Sequence, residues 1–282
     1  MQITPPDHSI VLAGVRLALA EDVGSGDATA ALVPNQAMKA RVICREGAVL
    51  CGRPWFDAVF HELDPSIEVN WVTNEGEPLV PNQVVCELAG PAPQLLTGER
   101  TALNFLQTLS GTATLTWGYV KAVAGTRARI FDTRKTLPGL RLAQKYAVRC
   151  GGGHNQRLGL FDAILVKENH IAAAGGLALA VEAARARYTD LPLQVEVETL
   201  AQLQEALGLG VTAILLDNFD LPDLRRAVAL RNARGSRAEL EASGGITLEN
   251  AARIAATGVD RISIGSLTKH VQAVDYSLRI AE

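Results

Sequence analysis

The segment DTRKTLPGLR, Asp132 to Arg141, places Arg134 and Lys135 between the hydroxyls of Thr133 and Thr136 on one short stretch. Arginine offers a carboxylate or phosphate a two-pronged fork, and lysine a mobile point charge. A second cationic stretch, GGGHNQRLGLFDAILVKENHI (151–171), carries Arg157 after a glycine run and Lys167 at the end of an apolar run. A lysine in that setting costs desolvation energy unless an anion meets it. Snorkelling to the surface, or pairing with a neighbouring glutamate, would answer the same cost.

Carboxylates come next along the chain. Glu196 and Glu198 fall on one face of an extended segment, because side chains alternate along a strand, and Asp217 closes the next apolar run. Acids at adjacent strand ends suit Mg²⁺, which takes one or two carboxylates together with water and substrate phosphates. They would equally suit ion pairs with the cations above. Two glycine-bearing turns, EASGGIT (241–247) and SIGSLTKH (263–270), lie between an apolar run and a helical one. Such turns free backbone N–H groups for a phosphate at a helix start, although plain tight turns have the same composition. Arg100, in TGERTALNF, stands apart on the N-terminal segment and by itself reads as a surface charge. Together these groups describe a site for small polyanions, at least one of them phosphorylated, with a divalent cation. No Ser-His-Asp or Cys-His arrangement and no GxGxxG turn accompanies them.

Elements must bring these residues together. Apolar runs end at RIFDT (129–133), DAILVK (162–167), LQVEVE (193–198), AILLD (213–217), AELEAS (238–243) and DRISIG (260–265), about 19 to 34 residues apart. Helical segments at 177–187, 200–207, 221–231 and 248–257 separate the later runs, which is βαβ spacing. Each run ends on a polar residue or a glycine, and catalytic groups at the carboxyl ends of several strands favour a barrel over a doubly wound sheet. Six such strands are fewer than the eight of a full barrel. Residues before about 110 have another texture, with alternating runs at 42–44, 69–71 and 84–88 that suit half-exposed antiparallel strands. A helix is expected from Thr97 to about Ala124, interrupted at Ser110-Gly111.

Composition sets the outer limits. The 282 residues are 48% hydrophobic and 20% charged, with a net charge of −3, so no global attraction for nucleic acid or an anionic membrane exists. The four cysteines, Cys44, Cys51, Cys86 and Cys150, form no CxxC pair and read as buried thiols in a reducing compartment. The N-terminal stretch lacks a basic n-region, and no apolar run reaches the roughly 20 residues of a membrane helix, so a cytoplasmic protein is expected.

EDVGSGDAT (21–29), LNFLQTLSGTAT (103–114), DTRKTLPGLR, GGGHNQRLGLFDAILVKENHI, VEVET, LLDNF, SGGI and ISIGSLTKH, in that order from about residue 10 to 275, resemble the quinolinate phosphoribosyltransferases. The resemblance implies an α/β protein whose N-terminal open-faced α/β sandwich (1–112, joined by 270–282) precedes an incomplete (β/α) barrel (113–269). It implies transfer of a phosphoribosyl group from 5-phosphoribosyl 1-pyrophosphate to quinolinate with Mg²⁺, releasing pyrophosphate and CO₂ and giving nicotinate mononucleotide. Arg134, Lys135, Arg157 and Lys167 match the family's anion binders, with Thr133 beside them. Arg100 matches an arginine that the family supplies from a neighbouring subunit, which would explain its isolation and implies a homodimer or larger assembly. Glu196 and Asp217 match the acids at the ribose and metal. Ser243-Gly244-Gly245 and Ile264-Gly265-Ser266 match the phosphate loops. One departure stands out: the family commonly has a histidine immediately before the arginine, and here Gln156 holds that place, with His154 two residues earlier. Gln156 is expected to keep the geometric role, donating to a carboxylate, while giving up any charge.

Other readings remain open on the residues. A relative acting on another pyridine or base, as in the molybdenum-utilisation branch, would share these motifs. Lys167 could serve a Schiff-base aldolase. A phosphosugar-binding protein without turnover would need the same anion binders.

Overall fold

The structure, a computed structural model, describes residues 3–280. In chain order the elements are α1 (His8–Val23), a 3₁₀ turn (Ala30–Leu32), β1 (Ala37–Cys44), β2 (Ala48–Val49), α2 (Arg53–Leu63), β3 (Glu68–Trp71), β4 (Pro78–Leu79), β5 (Gln83–Pro91) and α3 (Ala92–Ala122). There follow β6 (Arg129–Phe131), α4 (Arg141–Cys150), β7 (Ile164–Val166), α5 (Glu168–Ala174), α6 (Leu177–Arg187), β8 (Leu193–Val197) and α7 (Leu200–Gly208). The chain closes with β9 (Ala213–Asp217), α8 (Leu221–Ala233), β10 (Glu239–Ser243), α9 (Leu248–Ala255), β11 (Arg261–Ser263), α10 (Ser266–Lys269) and β12 (Tyr276–Ile280).

These elements form two compact units. The first takes the residues up to Trp117, Thr136–Gly152 and the chain from Ser266 onward; the second takes Gly118–Lys135 and Gly153–Gly265. The divisions fall at Trp117 and Ser266, beside the expected 112/113 and 269/270, and in addition α4 sorts with the first unit rather than with the strands that flank it in sequence.

In the first unit an antiparallel sheet runs β12-β1-β5-β3, the C-terminal strand returning to pair Tyr276 with Cys44. Its apolar face is covered by helices. Leu95, Ala102, Leu103, Leu106, Leu109 and Ala113 of α3 are buried along one side, at helical spacing, and α2 adds Phe56 and Phe60 in edge-on contact at 5.1 Å. Burying each such phenyl ring contributes about 1.5–3 kcal/mol over leaving it in water.

Helix α3 is continuous for 31 residues, so Ser110-Gly111 does not interrupt it. Gly111 serves close approach instead: a Cβ there would lie 2.1 Å from the carbonyl oxygen of Gln272. Ser110 points inward, its Oγ 3.0 Å from both the Cys51 carbonyl oxygen and the Tyr276 hydroxyl. The helix-breaking composition is thus spent on packing the C-terminal segment against α3.

All four cysteines are buried and unpaired. Sequence spacing hid one relation: the sulfurs of Cys51 and Cys150 and a carboxylate oxygen of Glu75 all lie within 4.8 Å of one another. Glu75 accepts the backbone N–H groups of Gly52 (3.0 Å) and Arg53 (2.7 Å), where α2 begins. Burial pushes its carboxyl up to about 7, against the pull of those two donors.

The second unit is a six-stranded, wholly parallel sheet of order β6-β11-β10-β9-β8-β7. All six apolar runs expected from the sequence become its strands, and α6 to α9 alternate with them. Hydrophobic continuity explains the pairing: Val195, Val197, Ile214, Leu216, Leu240 and Ile262 are at most 2% exposed, as strands covered on both faces require. At the amino ends, Arg231 and Asp260 form a buried ion pair at 2.5 Å, and Asp260 also accepts the N–H of Leu240.

Candidate active site

Every charged or polar group that closes a strand of the parallel sheet lies at its carboxyl end, and there a cavity of about 410 Å³ opens. Thr133, Arg134 and Lys135 enter it from the turn after β6. Gln156 and Arg157 come from the segment before β7, and Lys167 directly follows that strand. Glu196 comes from β8, Asp217 from the end of β9 and Ser243 from the end of β10. The structure thus brings together nine of the residues that the motifs single out.

The remaining candidates lie elsewhere. Arg100 is exposed on α3 in the first unit, with no ion pair among the described residues. Gly244 and Gly245 adopt left-handed backbone (φ 94° and 58°) just past Ser243, where a Cβ on Gly244 would lie 2.0 Å from the Asn218 side-chain oxygen. Gly265 follows β11, and a Cβ there would meet the Lys135 side chain at 2.9 Å. A side chain there would push that lysine from its path over the turn. Ile264 is buried, and Ser266, which sorts with the first unit, has a buried hydroxyl without a hydrogen-bond partner among the described residues. Glu198 does not line the cavity: β8 ends at Val197, and Glu198 is exposed in the turn that starts α7. Strand alternation stops with the strand.

Lys167 finds its counter-ion inside the protein. Its Nζ donates to Glu196 at 2.7 Å, so of the alternatives that its position raised, the pairing with a neighbouring glutamate holds, on the wall of the cavity. Burial raises the Glu196 carboxyl above its ordinary value; the Lys167 ammonium pulls it down, and Asp217 nearby pushes it up again. Burial likewise lowers the Arg157 guanidinium, and the positive charge of Arg134 adds to this. Two guanidinium groups near enough to oppose each other's charge are relieved by an anion between them. In the same cavity, two carboxylates on neighbouring strands can balance a developing positive centre or a metal ion.

His154 is not part of the cavity lining. Its backbone bridges Phe131 as a one-residue extension of the sheet, with His154 N–H donating to the Ile130 carbonyl at 2.8 Å, and its ring stacks on Phe131 at 5.2 Å.

Sequence reasoning missed Glu241, Leu165, Leu215 and Ser263, which also line the cavity. Three of them stand two residues before a group already singled out: Leu165 before Lys167, Leu215 before Asp217 and Glu241 before Ser243. Within β9 and β10, period-2 alternation puts Leu215 with Asp217 and Glu241 with Ser243 on one strand face, the earlier residue one layer deeper, and would have found those two. Gln194, two residues before Glu196, belongs to the same layer through its hydrogen bond to Glu241 at 2.9 Å.

Comparison with known proteins adds independent findings. The family model of the quinolinate phosphoribosyl transferase N-terminal domain matches residues 27–110, and that of the C-terminal domain matches residues 112–279. A probable carboxylating nicotinate-nucleotide pyrophosphorylase of Synechocystis is 44% identical over 265 residues, 93% of this chain and 90% of that protein. The carboxylating enzyme of Mycobacterium leprae is 43% identical over 272 residues, 94% of this chain and 95% of that protein. The solved nicotinate-nucleotide pyrophosphorylase of Francisella tularensis superposes with a TM-score of 0.96 at 45% identity, covering 100% of this chain and 99% of that one.

Proposed function

The chain belongs to the quinolinate phosphoribosyl transferase family, and from that premise we propose how its barrel-mouth residues carry the carboxylating nicotinate-nucleotide pyrophosphorylase reaction of de novo NAD synthesis. The pyridine nitrogen of quinolinate forms a bond to the anomeric carbon of 5-phosphoribosyl 1-pyrophosphate as the bond to pyrophosphate breaks. The carboxylate at C2 then leaves as CO₂, the adjacent pyridinium holds the electron pair left on C2, and a proton takes its place.

One observation carries the assignment of roles: Arg134, Lys135, Arg157 and Lys167 share a cavity with Glu196 and Asp217 at the strand ends. Arg134 and Arg157 take the pyridine carboxylates, with Arg100 of a second subunit completing that side. Lys135, Ser243-Gly244-Gly245 and Ile264-Gly265-Ser266 take the sugar phosphates. Lys167 holds Glu196 in place beside the ribose, where Glu196 and Asp217 balance the charge of an oxocarbenium-like transition state. Binding the departing carboxylate less tightly as it loses charge favours the transition state over the ground state.

Two carboxylates from adjacent strands at an open, oxygen-rich cavity fit Mg²⁺, which binds through few protein ligands and several waters. Glu196 and Asp217 would hold it, directly or through water, and it would supply charge neutralisation on the pyrophosphate. A homodimer or larger assembly working on these two substrates in the cytoplasm completes the proposal. No described helix is long and apolar enough to cross a membrane, and the surface charge favours no nucleic acid.

The decisive assay supplies quinolinate, phosphoribosyl pyrophosphate and Mg²⁺. CO₂ and pyrophosphate are expected in equal amounts, with no product from nicotinate and no turnover after chelation of the metal. Absence of quinolinate-dependent CO₂ would overturn the reading.

A further inference from the structure

Gln156 is held from two sides by buried carboxylates. Asp132, which comes directly after β6 and is fully buried, accepts the Gln156 backbone N–H at 2.8 Å and the side-chain amide of the preceding Asn155 at 2.6 Å. Glu241, in β10 and fully buried as well, accepts the Gln156 side-chain amide at 2.5 Å. The other oxygen of Glu241 accepts from Gln194 at 2.9 Å, and the Gln194 carbonyl oxygen lies 3.4 Å from the Gln156 amide nitrogen. The NH₂ group of Gln156 is therefore committed to the floor of the cavity, and the expected donation from Gln156 to a substrate carboxylate has no hydrogen left to make it.

An exposed polar loop residue needs no such holding. Placing two carboxylates in the interior costs several kcal/mol each unless hydrogen bonds compensate, and an arrangement in which both accept from one residue fixes that residue's backbone and side chain together. The next residue in the chain is Arg157, a cation of the cavity wall whose guanidinium also donates to the Ala163 carbonyl at 3.2 Å. We propose that Glu241 is a positioning residue, acting through the side chain of Gln156 to fix the backbone from which Arg157 reaches the pyridine dicarboxylate. This role rests on the substrate assignment proposed for the cavity. Gln156 is, on this view, the link between a buried acid and the anion binder, and not itself a ligand of the substrate.

The proposal is tested by equilibrium binding of quinolinate to four proteins: wild type, Glu241→Gln, Gln156→Leu and the double variant. Replacing the carboxylate by an amide sets one donor against another at Glu241, so each single change is expected to weaken quinolinate binding about tenfold, the scale of one hydrogen bond to a charged group. The double variant is also expected to weaken it about tenfold, because both changes cut the same link. Binding of phosphoribosyl pyrophosphate should change less than about twofold. Gln194→Met, which keeps the Glu241 charge and loosens one anchor, reads the same coupling if Glu241→Gln does not accumulate as folded protein, and should shift binding in the same direction. Additive single effects, or equal weakening for both substrates, would overturn the positioning role. Wild-type protein that binds quinolinate without releasing CO₂ would sink the proposed reaction and leave this cycle readable. Wild-type protein that does not bind quinolinate would overturn both.

Discussion

Gln156 sets a group that does not titrate where the family resemblance leads to the expectation of a histidine, directly above a buried glutamate. The wild-type quinolinate KM should therefore show no histidine-like inflection near pH 6.5. In Gln156→His the imidazole would face the Glu241 carboxylate, which holds its proton and raises its pKa. The cation so formed adds attraction for a dianion, so the variant KM should fall as pH drops through about 7 and rise above it. Initial rates across pH for both proteins check this, and superimposable profiles would dismiss any role for charge at the position. The same residue shows how far a motif can be read: its place before Arg157 was visible in the sequence, but its partner 85 residues away in β10 was not.

At the scale of elements, helix α3 makes a pair of opposite predictions. Gly111→Ala puts a methyl 2.1 Å from the Gln272 carbonyl oxygen, a backbone atom that cannot move aside cheaply. Gly118→Ala lies in the same helix, where the nearest atom to the new methyl is a Leu248 side-chain carbon at 3.7 Å. Calorimetry should show Gly111→Ala lowering Tm by about 5 °C or more, and Gly118→Ala raising it by about 1–3 °C through helix propensity. A shift of the same sign in both would reject the close-approach account. Helix α2 offers a pH test. Its start is capped by Glu75, whose carboxyl is pushed up to about 7 from an ordinary 4.5. Folding then favours the protonated form, so this group's contribution is complete below about pH 4.5 and is lost as pH rises through about 7. Glu75→Gln keeps an oxygen to accept the Gly52 and Arg53 N–H groups without the charge. Its Tm should fall less than wild type between about pH 5 and about pH 8, and parallel curves would rule the mechanism out.

At the scale of the whole molecule, Arg100 is exposed and outside the cavity, with no ion pair among the described residues. If a second subunit receives it, two inactive variants can repair each other. Arg100→Ala and Lys167→Ala should each be inactive alone. After subunit exchange, mixed dimers carry one doubly damaged and one intact site, returning about a quarter of wild-type activity for a twofold-symmetric pair. No recovery, with exchange verified by mass, would place Arg100 outside the site.

Chemistry and rhythm were legible in the residues themselves. Six apolar runs at βαβ spacing, each ended by a polar residue or glycine, suffice for a parallel sheet with its site at the carboxyl ends, because strand burial and alternation are local rules. Arg134, Lys135, Lys167, Glu196 and Asp217 followed from those ends, and Arg157 from the glycine-led segment before β7; all reach one cavity. Tertiary structure alone decided the rest. It turned Ser110-Gly111 from a helix break into a packing contact, left Glu198 outside the cavity, paired Lys167 with Glu196, and set Glu241 beneath Gln156. Each depends on which distant backbone or side chain arrives beside the residue. A local pattern specifies which face a side chain takes, while its partner across the sheet is set by strand order and register, and these belong to the folded chain as a whole.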